Sequence, residues 1–510
     1  MSTDSATRQP ASKAPSTLRN PVSLIGIITA AVSTAFGLPL MFADMINPHT
    51  NPYLGVLVYL VLPFIAAGGV GLTALGALWE RRRRRRHPEL QVRPLPRLDL
   101  NKPSHQAALL GVITGLMVLV VLLSVTGYRA YHFTESVEFC GVTCHQVMKP
   151  EYTAYKHSPH ARVACAQCHV GPGADWFVRS KLSGLYQVYS VAAKRYPRPI
   201  PTPVANLRPA PETCEQCHWP EKFFGAQQKT FTRYLTDEHN SPWQIQMLLK
   251  IGGGDPKVGA SGGIHWHMNI KNDIDYIASD ERREVIPWVR VTQPDGSATE
   301  YHSTETPLTP EQLAKAVPRR MDCVDCHNRP SHIYHPPDKA IEQAFEAGRL
   351  DRRLPYLKRE GIRLLTGEYA TEGEALAAIR KSLPEFYQTE YPQVAQDQQA
   401  VIRQAADELA RIYATNFFPE MRTDWRVHPN HIGHLNSDGC FRCHDGLHRS
   451  AEGRIITKDC NACHSILAQG PPETLAGQPL TEQPFRHPVD VGADVTEFKC
   501  SQCHTGTGGL

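Results

Sequence analysis

The sequence predicts a mainly α chain with much irregular loop: three transmembrane helices, then a large ectodomain with a small β unit inserted. Three observations predict it. Three charge-free apolar stretches crowd the start of the chain, and all 14 cysteines fall into one repeated pattern. The 41 Pro and 36 Gly are too many for a body built on regular elements, so something other than secondary structure must hold the long loops. At 510 residues there is room for several domains.

The apolar stretches are Val22 to Phe42, Tyr53 to Trp79 and Ala107 to Tyr128, of 21, 27 and 22 residues. As helix each reaches about 30 Å or more, the thickness of the hydrocarbon layer. The first is longer than the ~7 to 15 apolar residues of a signal peptide, so it reads as an anchor. A run of six arginines, Arg81 to Arg86, lies between the second and third stretches. Short loops rich in Lys and Arg stay in the cytoplasm, whereas 43–52 carries neither. The N-terminus is therefore expected inside, and everything after Tyr128 outside. The net charge is only +4, and outside the arginine run the chain is slightly acidic. That excludes a nucleic-acid binder, which spreads basic groups over a face.

Six copies of Cys-x-x-Cys-His follow: Cys165/Cys168/His169, Cys214/Cys217/His218, Cys323/Cys326/His327, Cys440/Cys443/His444, Cys460/Cys463/His464 and Cys500/Cys503/His504. A seventh, Cys140/Cys144/His145, has one residue more between its cysteines. This is the c-type haem attachment pattern. Two thiols add to the vinyl groups on one porphyrin edge, and on a helical turn the next residue swings beneath the ring to the iron. Paired cysteines also make zinc sites or disulfides, but neither requires a His after every second Cys. Seven covalently bound haems c are expected, each burying a large apolar ring, so the ectodomain is expected to be packed on haem. Proline-rich wraps such as 197–211 fit that expectation.

Iron that only transfers electrons is best held on both faces. Of 24 His, seven belong to the motifs and His49, His87 and His105 lie in or beside the membrane region. The remainder is ample for second ligands. The candidates are His160 before the second motif, His265 and His267 in GGIHWHMN, His332 after the fourth motif, and His431 and His434 in PNHIGH. His448 follows the fifth motif, and His487 lies between the sixth and seventh.

FCGVTCHQVM at Phe139 to Met148, SPH at Ser158 to His160, then CAQCHVG, CEQCH and CVDCHNRPSH resemble the NapC/NirT family of membrane-anchored cytochrome c quinol dehydrogenases. The resemblance covers about 200 residues and four haems; the whole layout resembles heptahaem inner-membrane cytochromes. It implies His332 as far ligand of the second haem, His160 of the third, and His265 or His267 of the fourth. It also implies a quinol pocket with a Lys, a Gly three residues on and an acidic residue soon after. Lys181 and Gly184 match, but Gln187 and Val188 stand where the acid belongs. The alternative for Lys181 is a surface lysine on an interfacial helix beginning near Trp176.

Family members use a Met two residues after the first motif's His as an iron ligand; here Met148 is three after His145. On a helical wheel of ~100° per residue the wider spacing turns His145 away from the midpoint of its cysteines and brings Met148 nearer. Met148 is therefore the expected ligand of the first haem. A thioether raises the potential there, which helps it accept electrons from quinol.

The remaining organisation reads as a small β unit from Asp273 to Ser303, with Pro-Asp-Gly at 294–296 as a turn, and a helical stretch from Thr371 to Phe418. The expected domains are a cytoplasmic tail (1–20), a membrane region (21–128) and a four-haem module (129–350). A helical spacer (351–425) and a three-haem module (426–510) follow. The expected function is oxidation of menaquinol or ubiquinol at the outer face of the inner membrane, with electrons leaving to a periplasmic cytochrome c or reductase. Rivals are a terminal reductase of a small nitrogen or sulfur compound, against which the abundant His argues, and a passive electron wire. A homo-oligomer stays open.

Overall fold

The computed structural model describes residues 17–46, 61–86, 99–143, 145–171, 173–204, 207–253, 262–268, 273–475, 477–492, 494–495 and 497–508. The chain divides into two compact units, Met1–Thr134 with Val170–Tyr186, and Glu135–His169 with Gln187–Leu510.

The first unit contains helices α1 (Pro21–Ile46), α2 (Leu62–Arg86) and α3 (Pro103–Thr134). Among the described residues two helices are long and apolar enough to cross a membrane, Pro21–Phe42 and Leu62–Arg86. The third expected span lies wholly within α3 but is not one of those two. There the apolar stretch shares its helix with polar ends, Ser104 to Gln106 before it and Arg129 to His132 after it. Phe36, Phe42 and Phe64 are exposed. Large apolar side chains facing outward all along a helix suit a lipid solvent rather than water. α1 and α2 meet through small residues: a Cβ on Gly26 would lie 2.6 Å from the Gly69 carbonyl oxygen, and one on Gly76 would lie 2.6 Å from the Ser23 nitrogen. Ser33 Oγ donates to the Leu62 carbonyl at 2.7 Å across the same seam. Close backbone approach of this kind is how helices associate in lipid, where burial of apolar surface supplies no drive.

The second unit opens with α4 (His145–Lys156). Next, α5 (Ala174–Ala192) starts in the first unit and ends in the second. Helices α6 (Pro337–Glu346), α7 (Leu357–Leu365), α8 (Glu372–Glu390) and α9 (Gln399–Asn416) follow. α8 buries Ala375, Ile379, Leu383 and Tyr387, a ladder of every fourth residue, which one face of an α-helix presents. α9 buries Ile402, Ala405, Leu409, Ile412, Tyr413 and Asn416 at the matching spacing. With α6, α7 and two residues of α4, Val147 and Ala154, these form the main apolar cluster. The stretch expected to be a spacer thus holds a conventional apolar core of its own.

Among the described residues eight strands make two sheets. β1 (Gln227–Tyr234), β2 (Pro242–Leu249) and β8 (His464–Gly470) are ordered β1-β2-β8. β3 (Asp273–Ile277), β4 (Trp288–Thr292), β5 (Ala298–Ser303), β6 (Arg319–Arg320) and β7 (His448–Arg449) are ordered β6-β3-β4-β5-β7. The expected β unit is β3 to β5. Its Pro-Asp-Gly turn is closed by Gln293 N–H donating to the Ser297 carbonyl at 2.8 Å, with Gly296 at φ 84°. Each sheet takes one strand from beyond residue 440, so the early and late motifs share their sheets.

Candidate functional site

The regular motifs are built as single tight turns. In the third, fourth, fifth and seventh, the His N–H donates to the carbonyl of the first Cys at 2.8–3.0 Å. That bond fixes the His one turn below the pair of thiols. The fourth turn is capped from within, because Asp322 accepts from Val324 N–H and Asp325 accepts from Asp322 N–H. The first motif differs. Phe139–Thr143 is a π-helical turn, whose i→i+5 bonding takes in one more residue than an α turn. The extra residue is absorbed there, so the uniform α-helical wheel that favoured Met148 over His145 does not describe this turn. Met148 is half-buried on α4. Cys144 lies outside the described residues, as does the side chain of His145.

The described cysteines are unbridged. Most of the described motif cysteines are half-buried, and Cys217, Cys326, Cys460 and Cys503 are exposed. Cys503 ends the four-residue helix Cys500–Cys503, none of whose residues is buried, and it stands beside Cys500 at the surface. A thiol that must add to a porphyrin edge has to be reachable, so exposure is compatible with attachment at these four positions.

Each of the six regular motif histidines faces one other histidine. Ring centroids are 6.3 Å apart for His169 and His332, 6.1 Å for His218 and His160, and 6.4 Å for His327 and His265. They are 5.8 Å apart for His444 and His267, 6.2 Å for His464 and His434, and 6.0 Å for His504 and His487. Two imidazoles bound to one metal at about 2.0 Å each should have centroids roughly 6.2 Å apart. The tautomers agree. Nδ1 of His160, His265, His267, His332, His444 and His487 lies 2.7–3.2 Å from a backbone carbonyl. A proton held on Nδ1 leaves the Nε2 lone pair for a metal. Among the described residues no three metal-binding side chains gather at one point. Pairs with two opposed nitrogens, beside two thiols, fit haem, whose ring brings the other four iron ligands.

The pairs sort the candidates. His265 faces the fourth motif and His267 the fifth, so one 3₁₀ turn, Ile264–Met268, addresses two motifs. Its Ile264 N–H donates to the Lys250 carbonyl at 2.7 Å and its His265 N–H to that of Gly252 at 3.0 Å, pinning it to the end of β2. Two of the candidates, His448 and His431, have a ring nitrogen on another partner. His448 has Nε2 2.7 Å from the Ile286 carbonyl and Nδ1 2.9 Å from Asp445 Oδ1. Burial pushes its pKa down, but Asp445 and that carbonyl outweigh burial and raise it above the ordinary value. Both ring nitrogens of His448 thus face oxygen acceptors rather than a motif histidine. His431 likewise has Nε2 2.8 Å from Glu284 Oε1. Neither faces a motif histidine. Lys181 lies on α5, where its Nζ donates to Thr134 Oγ1 at 3.2 Å and stands 5.1 Å from the centre of the Phe177 ring.

Successive motifs are neighbours. Cys140 lies by Cys165, and Cys168 by Cys214 and Cys217. Cys214 lies by Cys323, and Cys326 by Cys440. Cys463 lies by Cys440, and Cys500 by Cys460. From first to seventh, contact order follows chain order. Charged residues missed in the sequence lock the arrangement. Asp325, inside the fourth motif, accepts from Tyr276 Oη at 2.6 Å, Arg283 at 2.7 Å and Arg319 at 3.0 Å. Arg442, inside the fifth, donates to the Asp325 carbonyl at 2.6 Å and to that of Arg283 at 2.7 Å. Glu151 of α4 pairs with Arg329 and with the ring of His332. No spacing rule marks these residues, since they join segments far apart in the chain.

Residues 102–199 match the family described as NapC/NirT cytochrome c family, N-terminal region. The chain is 46% identical to the cytochrome c-type protein ImcH of Geobacter sulfurreducens over 487 residues, 96% of this chain and 95% of that protein. No solved structure matches. A family pattern over the first motifs, and a relative this similar along nearly the whole length, place the chain in the NapC/NirT family of membrane-anchored, electron-transferring cytochromes c.

Proposed function

We propose that this protein is a quinol dehydrogenase with seven covalently bound haems c. It takes electrons from menaquinol or ubiquinol at the outer face of the inner membrane and delivers them to a periplasmic cytochrome c or reductase. In this reading three helices span, the N-terminus is cytoplasmic and the motifs are periplasmic. The six facing histidine pairs carry the proposal, because they close both faces at six sites and leave no room for substrate there. That favours transfer over a terminal reductase. Bound haem supplies a one-electron couple at each site. The chain's own residues would hold the thioether bonds through the seven cysteine pairs and keep the Nδ1–H of six paired histidines on carbonyls. They also keep successive motifs in contact. Cys140 and Cys144 would hold the first haem, with His145 and Met148 as its candidate ligands, and Lys181 would meet quinol oxygen.

Reconstitution of the purified chain with menaquinol and ubiquinol analogues, followed by haem absorbance, tests this. Direct reduction without another protein is expected. Reduction only after a separate quinol enzyme is added would make the chain a passive conductor.

A further inference from the structure

We propose that Glu151 and Arg329 set the reduction potential at the second motif by pulling in opposite directions on the ring of His332. The inference rests on the reading that His332 and His169 hold the same iron. Glu151 lies on α4, three residues after Met148, which puts the two on one helix face. Its two carboxylate oxygens lie 3.2 and 3.1 Å from one nitrogen of Arg329. Its Oε2 also lies 3.1 Å from His332 Nδ1. The Glu151 backbone carbonyl is 3.0 Å from that same Nδ1. Arg329 is 6% exposed, and its Nε donates to the His332 carbonyl at 2.6 Å.

The carbonyl by itself suffices to orient the ring, so the added charges are not needed for orientation. A carboxylate drawing on the Nδ1 proton makes the imidazole a stronger donor through Nε2, which favours ferric iron and lowers the potential. The guanidinium pairs with the same carboxylate and weakens that pull. The Arg329 side chain is buried and that of Glu151 is 17% exposed, so screening between the two charges is reduced. The first motif's helix thereby carries the charge that tunes the second motif's iron.

Redox titration of the full-length haem-loaded protein, with haem content checked by mass, decides. Glu151→Gln should raise one midpoint and Arg329→Gln should lower the same one. Each change should alter the reduced-to-oxidised ratio at fixed potential by up to tenfold, about 59 mV for one electron. Arg329→Lys should restore most of the wild-type value. Haem-loaded variants whose midpoints stay put, or move in the same direction, overturn the proposal. If Glu151→Gln does not mature, the Arg329→Gln and Arg329→Lys pair decides alone, since only the neutral change should shift a midpoint. His332→Met tests the underlying reading separately: it should alter the spectrum of one haem, and an unchanged spectrum would overturn the pairing itself.

Discussion

Two histidines with similar sequence surroundings, half-buried His332 and buried His448, differ in their ring partners. His332 keeps Nδ1 on the Glu151 carbonyl with its ring 6.3 Å from that of His169, whereas His448 spends Nε2 on the Ile286 carbonyl. Each stands four or five residues after a motif histidine, so spacing alone could not separate them. The Cys-x-x-Cys-His turns, by contrast, were legible because attachment chemistry dictates their spacing locally. The partner of each turn was legible only where a family resemblance supplied it, because the two rings come from distant segments. His448 carries a pH prediction. A folded-state pKa above the unfolded one stabilises fully below the unfolded value, and the contribution is lost as pH rises through the folded value. The thermal midpoint of the wild type should therefore exceed that of His448→Gln at about pH 5.5, and the gap should shrink toward about pH 8. A gap that widens with pH would contradict a protonated His448.

At the scale of elements, the long helices were legible, while five of the eight strands among the described residues were not. α8 shows its ladder of Ala375, Ile379, Leu383 and Tyr387 in the sequence because one face of it is wholly buried. β1 and β2, QQKTFTRY and PWQIQMLL, show no alternation of buried and exposed residues in the fold. Without a dry face there is no period of two to read. Leu383 lies in the apolar cluster on α8, far in sequence from every paired histidine, which gives a clean test. Leu383→Ala should cost about 2–5 kcal/mol of stability through the cavity it leaves. Thermal unfolding should show the loss while the haem midpoints stay at wild-type values. Midpoints that moved would mean the helices position the motifs more directly than their packing indicates.

Across the whole molecule, the sheets decide how far the chain can be divided. β8 completes the sheet begun by β1 and β2, and β7 closes the edge of β5. A chain ending at residue 425 would expose both edges and leave His267 facing nothing. Such edges invite pairing between chains. Size-exclusion chromatography should show this truncation aggregated or short of four haems; a monodisperse four-haem product would mean the early motifs form an independent body.

The neighbour order of the motifs bears on biogenesis. A chain secreted from its N-terminus offers its attachment sites to the maturation machinery in the order in which they finally touch. Each new pigment can then be laid beside one already joined. Facing rings do not arrive in that order: His160 is secreted before the motif it faces, whereas His332 follows its own by a long stretch of chain. In the proposed reading, His332 reaches the second motif only once the fourth turn has emerged.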